Sequence, residues 1–180
     1  MITSPENIIV LALDVDGVLT DGTITFWGLP HVFQNESKTF HVHDGQGISL
    51  WQKAGFHVVL ISGRNADCVS IRAKELNIPY VYQGSKDKIA DLARALKKIG
   101  ASPEQTCFVG DDLGDLAVMR HVGYSIAVGN AAMEVKEIAN VTTAALGGHG
   151  AVREAIEHLM QASGTWANAV DSSKTEPTQQ

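Results

Sequence analysis

At 180 residues, 44% of them hydrophobic, the chain is long enough to bury one core and too short to require a second domain. Its net charge of −6 argues against nucleic acid or an anionic membrane surface as partner, and no stretch approaches the ~20 apolar residues that span a bilayer. The opening residues, Met1 to Asn7, lack the basic segment of a secretory signal. Cys68 and Cys107 read as free core thiols, so a reducing cytoplasm is the expected compartment.

The first element is the unalternating apolar run Ile8-Ile-Val-Leu-Ala-Leu13, which reads as a strand buried on both faces, as in a parallel sheet. A tight turn is expected over Val18 to Asp21. Thr23 to Trp27 and Val32 to His43 then read as a hairpin closed around Gly28-Leu29-Pro30. Beyond it, helices are expected at 46–55, 65–77, 86–100, 113–122, 131–139 and 150–162, with strands at 57–61, 80–82, 106–109 and 124–128. Such alternation predicts an α/β fold: a doubly wound, mostly parallel sheet between two layers of helices, with the hairpin as a flap and no inserted cap domain. One domain is expected over 1–163. Residues 164–180, rich in Ser, Thr, Gln, Asn and Pro, are expected to form a disordered tail.

Polar clusters follow four of these strands. Asp14-Val-Asp16-Gly-Val leaves the first, Ser62-Gly63-Arg64 the next, then Ser85-Lys-Asp-Lys88, then Gly110-Asp111-Asp112-Leu-Gly-Asp115. In a parallel sheet these strand ends share one edge, where open α/β sheets bind ligands, so the clusters converge on one crevice. Carboxylates as close as Asp14 and Asp16 repel each other, and a cation or a shared proton is needed to hold them. The assembled groups match phosphoryl transfer through an aspartyl-phosphate, in which Asp14 attacks phosphorus and water later hydrolyses the acyl phosphate. Mg²⁺ favours oxygen ligands. Asp14, Asp111 and the main-chain carbonyl of Asp16 would supply them, with Asp115 or Asp112 holding metal-bound waters. Lys88 offsets negative charge, and Ser62 with nearby N–H groups grips phosphate oxygens. Asp16 protonates the leaving alkoxide and then deprotonates the attacking water.

Together these motifs resemble those of the haloacid dehalogenase superfamily of phosphatases. Further stretches are similar to its 3-deoxy-D-manno-octulosonate 8-phosphate phosphatase branch: Asp16-Gly-Val-Leu-Thr-Asp-Gly22, Lys38-x-Phe40, Asp44-Gly-x-Gly-Ile48, Gln83-Gly-x-x-Asp-Lys88 and Gly147-Gly-x-Gly-Ala-Val-Arg-Glu154. The resemblance spans residues 8 to 160. It implies Mg²⁺-dependent hydrolysis of a phosphorylated sugar acid in lipopolysaccharide precursor synthesis, with Gly63, Arg64, Thr20, Lys38 and Asp44 at the substrate. Arg64 would fork onto the sugar-acid carboxylate. The chain departs from the pattern at His43, where Arg is usual, at Gly129-Asn130, and at Ser62, where Thr is common. Without a cap, the resemblance implies a homotetramer assembled through the hairpin (residues 22–43), whose Phe26, Trp27, Val32 and Phe33 would expose apolar surface.

The same chemistry on another sugar-acid phosphate, such as a nonulosonate 9-phosphate, or on a sugar phosphate is the alternative. A phospho-receiver domain is the remote one, because no Asp follows Ile61 to serve as its acceptor. His41 and His43 lie two apart on the expected strand, a spacing that suits zinc but without a third ligand nearby. Gly147-Gly-His-Gly150 is open to two roles, approaching a phosphate or capping the last helix.

Overall fold

The order of the strands explains where ligands can bind. In the computed structural model, which describes residues 4–28 and 35–175, six parallel strands run β5-β4-β1-β6-β7-β8 across one sheet. They are β1 (Val10–Leu13), β4 (His57–Ile61), β5 (Tyr80–Tyr82), β6 (Thr106–Gly110), β7 (Tyr124–Ala127) and β8 (Val141–Thr142). The chain winds outward from β1 through β4 and β5, then returns to β6 and winds the other way. Strand order therefore reverses beside β1, and the crevice opens past its C-terminal end.

Every residue of β1 is buried, because strands flank it and helices cover both faces. Its register pairs Leu13 with Leu60 of β4 and Val109 of β6, which brings the residues just past these three strands level with one another. Helix α1 (Val42–Lys53) packs on α6 (Ala151–Ala162) over one face. On the other face, α3 (Lys88–Ile99) packs on α4 (Leu116–His121), and α4 on α5 (Met133–Ile138). Trp51 of α1 fills the core; its Nε1 donates to the His57 carbonyl at 2.9 Å, which satisfies the one polar group it buries. Helix α2 (Asp67–Glu75) contributes Val69 and Ala73 to the core. Among the described residues, no helix is long and apolar enough to cross a membrane.

The doubly wound parallel sheet and the hairpin are as expected, and several boundaries move. The hairpin strands are short, β2 (Thr25–Trp27) and β3 (Asn35–Ser37), and Phe40 makes only an isolated bridge to Thr20. Helix α1 then begins at Val42, so His41 and His43 sit at its N-terminus and not on a strand; their rings still meet edge to face at 5.0 Å, but among the described residues no third ligand joins them. The helix expected at 113–122 splits into a 3-10 turn (Leu113–Asp115) and α4. The two residues of β8 are too few to show a period. Disorder from 164 onward is corrected by α7 (Trp166–Thr175): the Arg153 guanidinium lies 5.0 Å over the Trp166 ring, and Trp166 and Ala169 pack against the core. The expected turn residues Leu29 and Pro30, Val32 and Phe33 of the hairpin, and residues 176–180 lie outside the described residues.

Candidate active site

Three carboxylates and one ammonium meet at the end of β1. Asp14 follows β1 directly, Asp111 follows β6, and Asp115 closes the 3-10 turn after it. Lys88 is the first residue of α3, a start fixed by Asp87, whose side chain accepts from the Ala90 N–H at 3.0 Å. From there the Lys88 Nζ donates to Asp14 Oδ1 at 2.5 Å and Asp115 Oδ1 at 2.7 Å. The other Asp115 oxygen accepts from the Asp111 N–H at 3.0 Å. Oxygens of Asp14, Asp111 and Asp115 all lie within 4.8 Å of one another. The loop after β1 reaches this cluster only because residue 17 is glycine: its φ is +89°, and a Cβ would overlap the Asp111 carboxylate.

One ammonium does not balance three carboxylates. Burial, with the Asp115 charge adding and Lys88 opposing, pushes Asp14 up to about 6. Burial and the charges of Asp14, Asp115 and Asp112 push Asp111 up to about 7. Burial works against the Lys88 charge, but the neighbouring carboxylates outweigh it and hold the ammonium above its usual range. A cluster of hard oxygen donors with surplus negative charge fits a small divalent cation such as Mg²⁺.

Asp16 faces the other way. Its Oδ2 accepts from Ser62 Oγ at 3.1 Å, and its Oδ1 meets the Lys38 ammonium. Ser62 Oγ also accepts from the Arg64 N–H at 3.0 Å. Lys38 reaches Glu36 Oε1 at 2.7 Å, and Arg64 Nη2 donates to Glu36 Oε2 at 2.9 Å. The Lys38 contact, then Arg64, hold the Glu36 carboxyl below its usual range against the opposing effect of burial. Burial likewise opposes the Lys38 charge, yet Asp16 and Glu36 raise it.

The structure thus brings Asp14, Asp111, Asp115 and Lys88 into one group, and Asp16, Ser62, Lys38 and Arg64 into a second. Gly63 is exposed between Ser62 and Arg64, and a Cβ there would meet only the Ser85 carbonyl, at 3.9 Å. The side chain of Asp16 stays out of the carboxylate cluster, so its expected ligand is the main-chain carbonyl alone. Asp115 and not Asp112 joins the cluster, since the exposed Asp112 carboxylate accepts from the Leu113 N–H at 2.8 Å.

Two expected substrate contacts are corrected. Thr20 is fully buried, its hydroxyl donating to the Val15 carbonyl and accepting from Gly17 and Gly22 N–H groups. Asp44 is fully buried too, accepting from the Gly150 N–H at 3.3 Å and the Arg153 N–H at 2.8 Å, which caps α6. Neither is free to meet a ligand.

Two residues have roles that the sequence does not assign, Glu36 and Asn130. Glu36 lies on β3, two positions before Lys38, which directly follows the strand, and that spacing was the available signal. The Asn130 amide donates to the Gly17 carbonyl at 3.1 Å and accepts from the Gly147 N–H at 2.6 Å. It ties the loop after β1 to the glycine-rich segment, where a Cβ on Gly147 would overlap the Gly17 backbone. That segment serves packing, and it also leads into the N-terminus of α6.

A profile for haloacid dehalogenase-like hydrolases matches residues 67–156. The 3-deoxy-D-manno-octulosonate 8-phosphate phosphatase of Salmonella typhi is 40% identical over 164 residues, 91% of this chain and 85% of that protein. The chain belongs to the haloacid dehalogenase-like hydrolases. Solved structures of this hydrolase fold agree. The Moraxella catarrhalis 3-deoxy-D-manno-octulosonate 8-phosphate phosphatase, in complex with magnesium, phosphate and the sugar acid, superposes with a TM-score of 0.88 at 34% identity, covering 94% of this chain and 95% of that one. The cobalt-bound deoxy-D-mannose-octulosonate 8-phosphate phosphatase of Haemophilus influenzae gives 0.85 at 33% identity, covering 93% of this chain and 99% of that one.

Proposed function

We propose that this hydrolase is a Mg²⁺-dependent phosphatase that converts 3-deoxy-D-manno-octulosonate 8-phosphate to the free sugar acid and phosphate, a step toward lipopolysaccharide precursors. The observation that carries the reading is the separation of Asp14 from Asp16. One sits in the carboxylate–ammonium cluster, and the other is held outside it by Ser62 and Lys38. The near-full-length identity to the Salmonella enzyme supports the choice of substrate.

The Asp14 carboxylate attacks phosphorus, and the bond to the sugar 8-oxygen breaks as Asp16 gives that oxygen its proton. Asp16 then takes a proton from the water that cleaves the acyl phosphate, which frees Asp14. Ser62 Oγ and the exposed backbone at Gly63 hold the phosphate oxygens, and Lys88 orients Asp14. Asp14, Asp111 and Asp115, with the Asp16 carbonyl, would hold Mg²⁺, which supplies the positive charge that lets an anionic phosphate approach a carboxylate. Arg64, with 44% of its side chain exposed at the rim, pairs with the sugar-acid carboxylate. Phe26 and Trp27, 59% and 61% exposed on the hairpin, suit burial between subunits of a homotetramer. The enzyme is assigned to the cytoplasm, where its two free thiols would stay reduced.

The test is phosphate release, with and without Mg²⁺, from a panel of sugar and sugar-acid phosphates. A preference of ~100-fold or more in kcat/KM for the octulosonate ester is expected. A nonulosonate 9-phosphate turned over faster would move the assignment to that substrate, and flat activity would overturn it.

A further inference from the structure

We infer that Glu36 is a positioning residue for substrate: it clasps Lys38 and Arg64 as a fixed pair of cations, one at the reacting end of the crevice and one at the rim. This rests on the reading of the crevice as a sugar-acid phosphate site. The contacts form one chain of alternating charge, Asp16 to Lys38 to Glu36 to Arg64. Lys38 is 1% exposed and Glu36 14%, so the Glu36 carboxylate is largely removed from water and, among the described residues, is compensated through these two partners. Each of its oxygens serves one of them, Oε1 for Lys38 at 2.7 Å and Oε2 for Arg64 at 2.9 Å.

The clasp has a geometric consequence. Glu36 lies on the hairpin and Arg64 on the loop after β4, so it joins the flap to the loop that follows Ser62. Arg64 uses Nη2 on Glu36, which leaves further N–H donors for a ligand carboxylate. Without Glu36 the half-exposed guanidinium would sample many rotamers, and the cost of ordering it would fall on substrate binding. The loss should then appear in KM more than in kcat, and only for substrates whose anionic group reaches Arg64. Phosphate esters lacking that group do not need the rim cation.

The experiment compares wild type, Glu36→Gln, Arg64→Ala and the double variant on octulosonate 8-phosphate and on p-nitrophenyl phosphate. Glu36→Gln, nearly isosteric, is expected to raise KM for the sugar-acid ester ~10-fold while kcat changes less, with a loss in kcat/KM ~10-fold larger than on p-nitrophenyl phosphate. In the Arg64→Ala background the same substitution should cost less than ~3-fold, because the two residues act as a unit. Glu36→Asp, which keeps the charge but shortens the reach, should recover part of the loss. Equal losses on both substrates, a change confined to kcat, or fully additive losses would overturn the inference. If wild type hydrolyses p-nitrophenyl phosphate but ignores octulosonate 8-phosphate, the substrate assignment fails instead. The four proteins are then compared on the sugar-acid phosphate selected by the panel, with the same outcomes deciding for or against the clasp.

Discussion

Asp14 and Asp16 are two residues apart and occupy opposite surroundings. Asp14 is buried with two more carboxylates around one lysine, and the crowding pushes it up to about 6. Asp16 stands across the turn against a serine and a hairpin lysine. A period of two in a strand would put both side chains on one face. The strand instead ends at Leu13, and the chain bends from Val15, whose carbonyl accepts from the Val18, Leu19 and Thr20 N–H groups, so the two carboxylates go to separate neighbourhoods. The difference teaches that an Asp-x-Asp pair gains two functions from the turn it lies in, more than from its spacing.

The largest way to break this comparison is Asp14→Asn. It removes the nucleophile and is expected to cut kcat by ~10⁴-fold or more, followed by phosphate release under saturating substrate. Asp16→Asn should cost ~10²-fold or more while Mg²⁺ binding, followed by calorimetry, stays close to wild type. Near-normal turnover would remove Asp16 from proton transfer, and lost metal binding would merge the two neighbourhoods into one.

Protons sharpen the contrast at a smaller scale. Asp14 and Asp111, pushed up to about 6 and about 7, hold protons that Mg²⁺ must displace. Affinity should therefore rise as pH climbs from 5 to 8, with proton release on binding that is greatest at the acid end and fades above pH 7. Calorimetry in buffers of different ionisation enthalpy measures it. A pH-independent affinity would mean that the cluster is already ionised before the metal arrives.

The smallest expected effect lies far from the site. Removing residues 164–180 deletes α7 with its Trp166–Arg153 contact and should lower the melting temperature by a few degrees, or ~1–2 kcal/mol, without unfolding the sheet. An unchanged melting temperature would show that α7 adds nothing to the core.

The sheet and crevice were legible because buried parallel strands are plain apolar runs, and each reactive cluster directly follows one. Asp14, Ser62, Lys88 and Asp111 needed only that rule. Thr20 and Asp44 misled because a motif match does not reveal what a polar side chain bonds to. The Asp44 partners, Gly150 and Arg153, lie more than a hundred residues away, and no local pattern records a cap built across that distance. Helix α7 was hidden by a polar composition whose few apolar groups, Trp166 and Ala169, find partners only in the folded core. Glu36 was within reach, two residues before Lys38 at the end of β3. Its second partner, on a different loop, was not.

The most direct test is rapid acid quenching of wild type during turnover, followed by mass spectrometry of its peptides. The account predicts a phosphoryl adduct of about 80 Da on the Asp14 side chain, absent in Asp14→Asn. An adduct on Asp16, or steady turnover with none on Asp14, would contradict it.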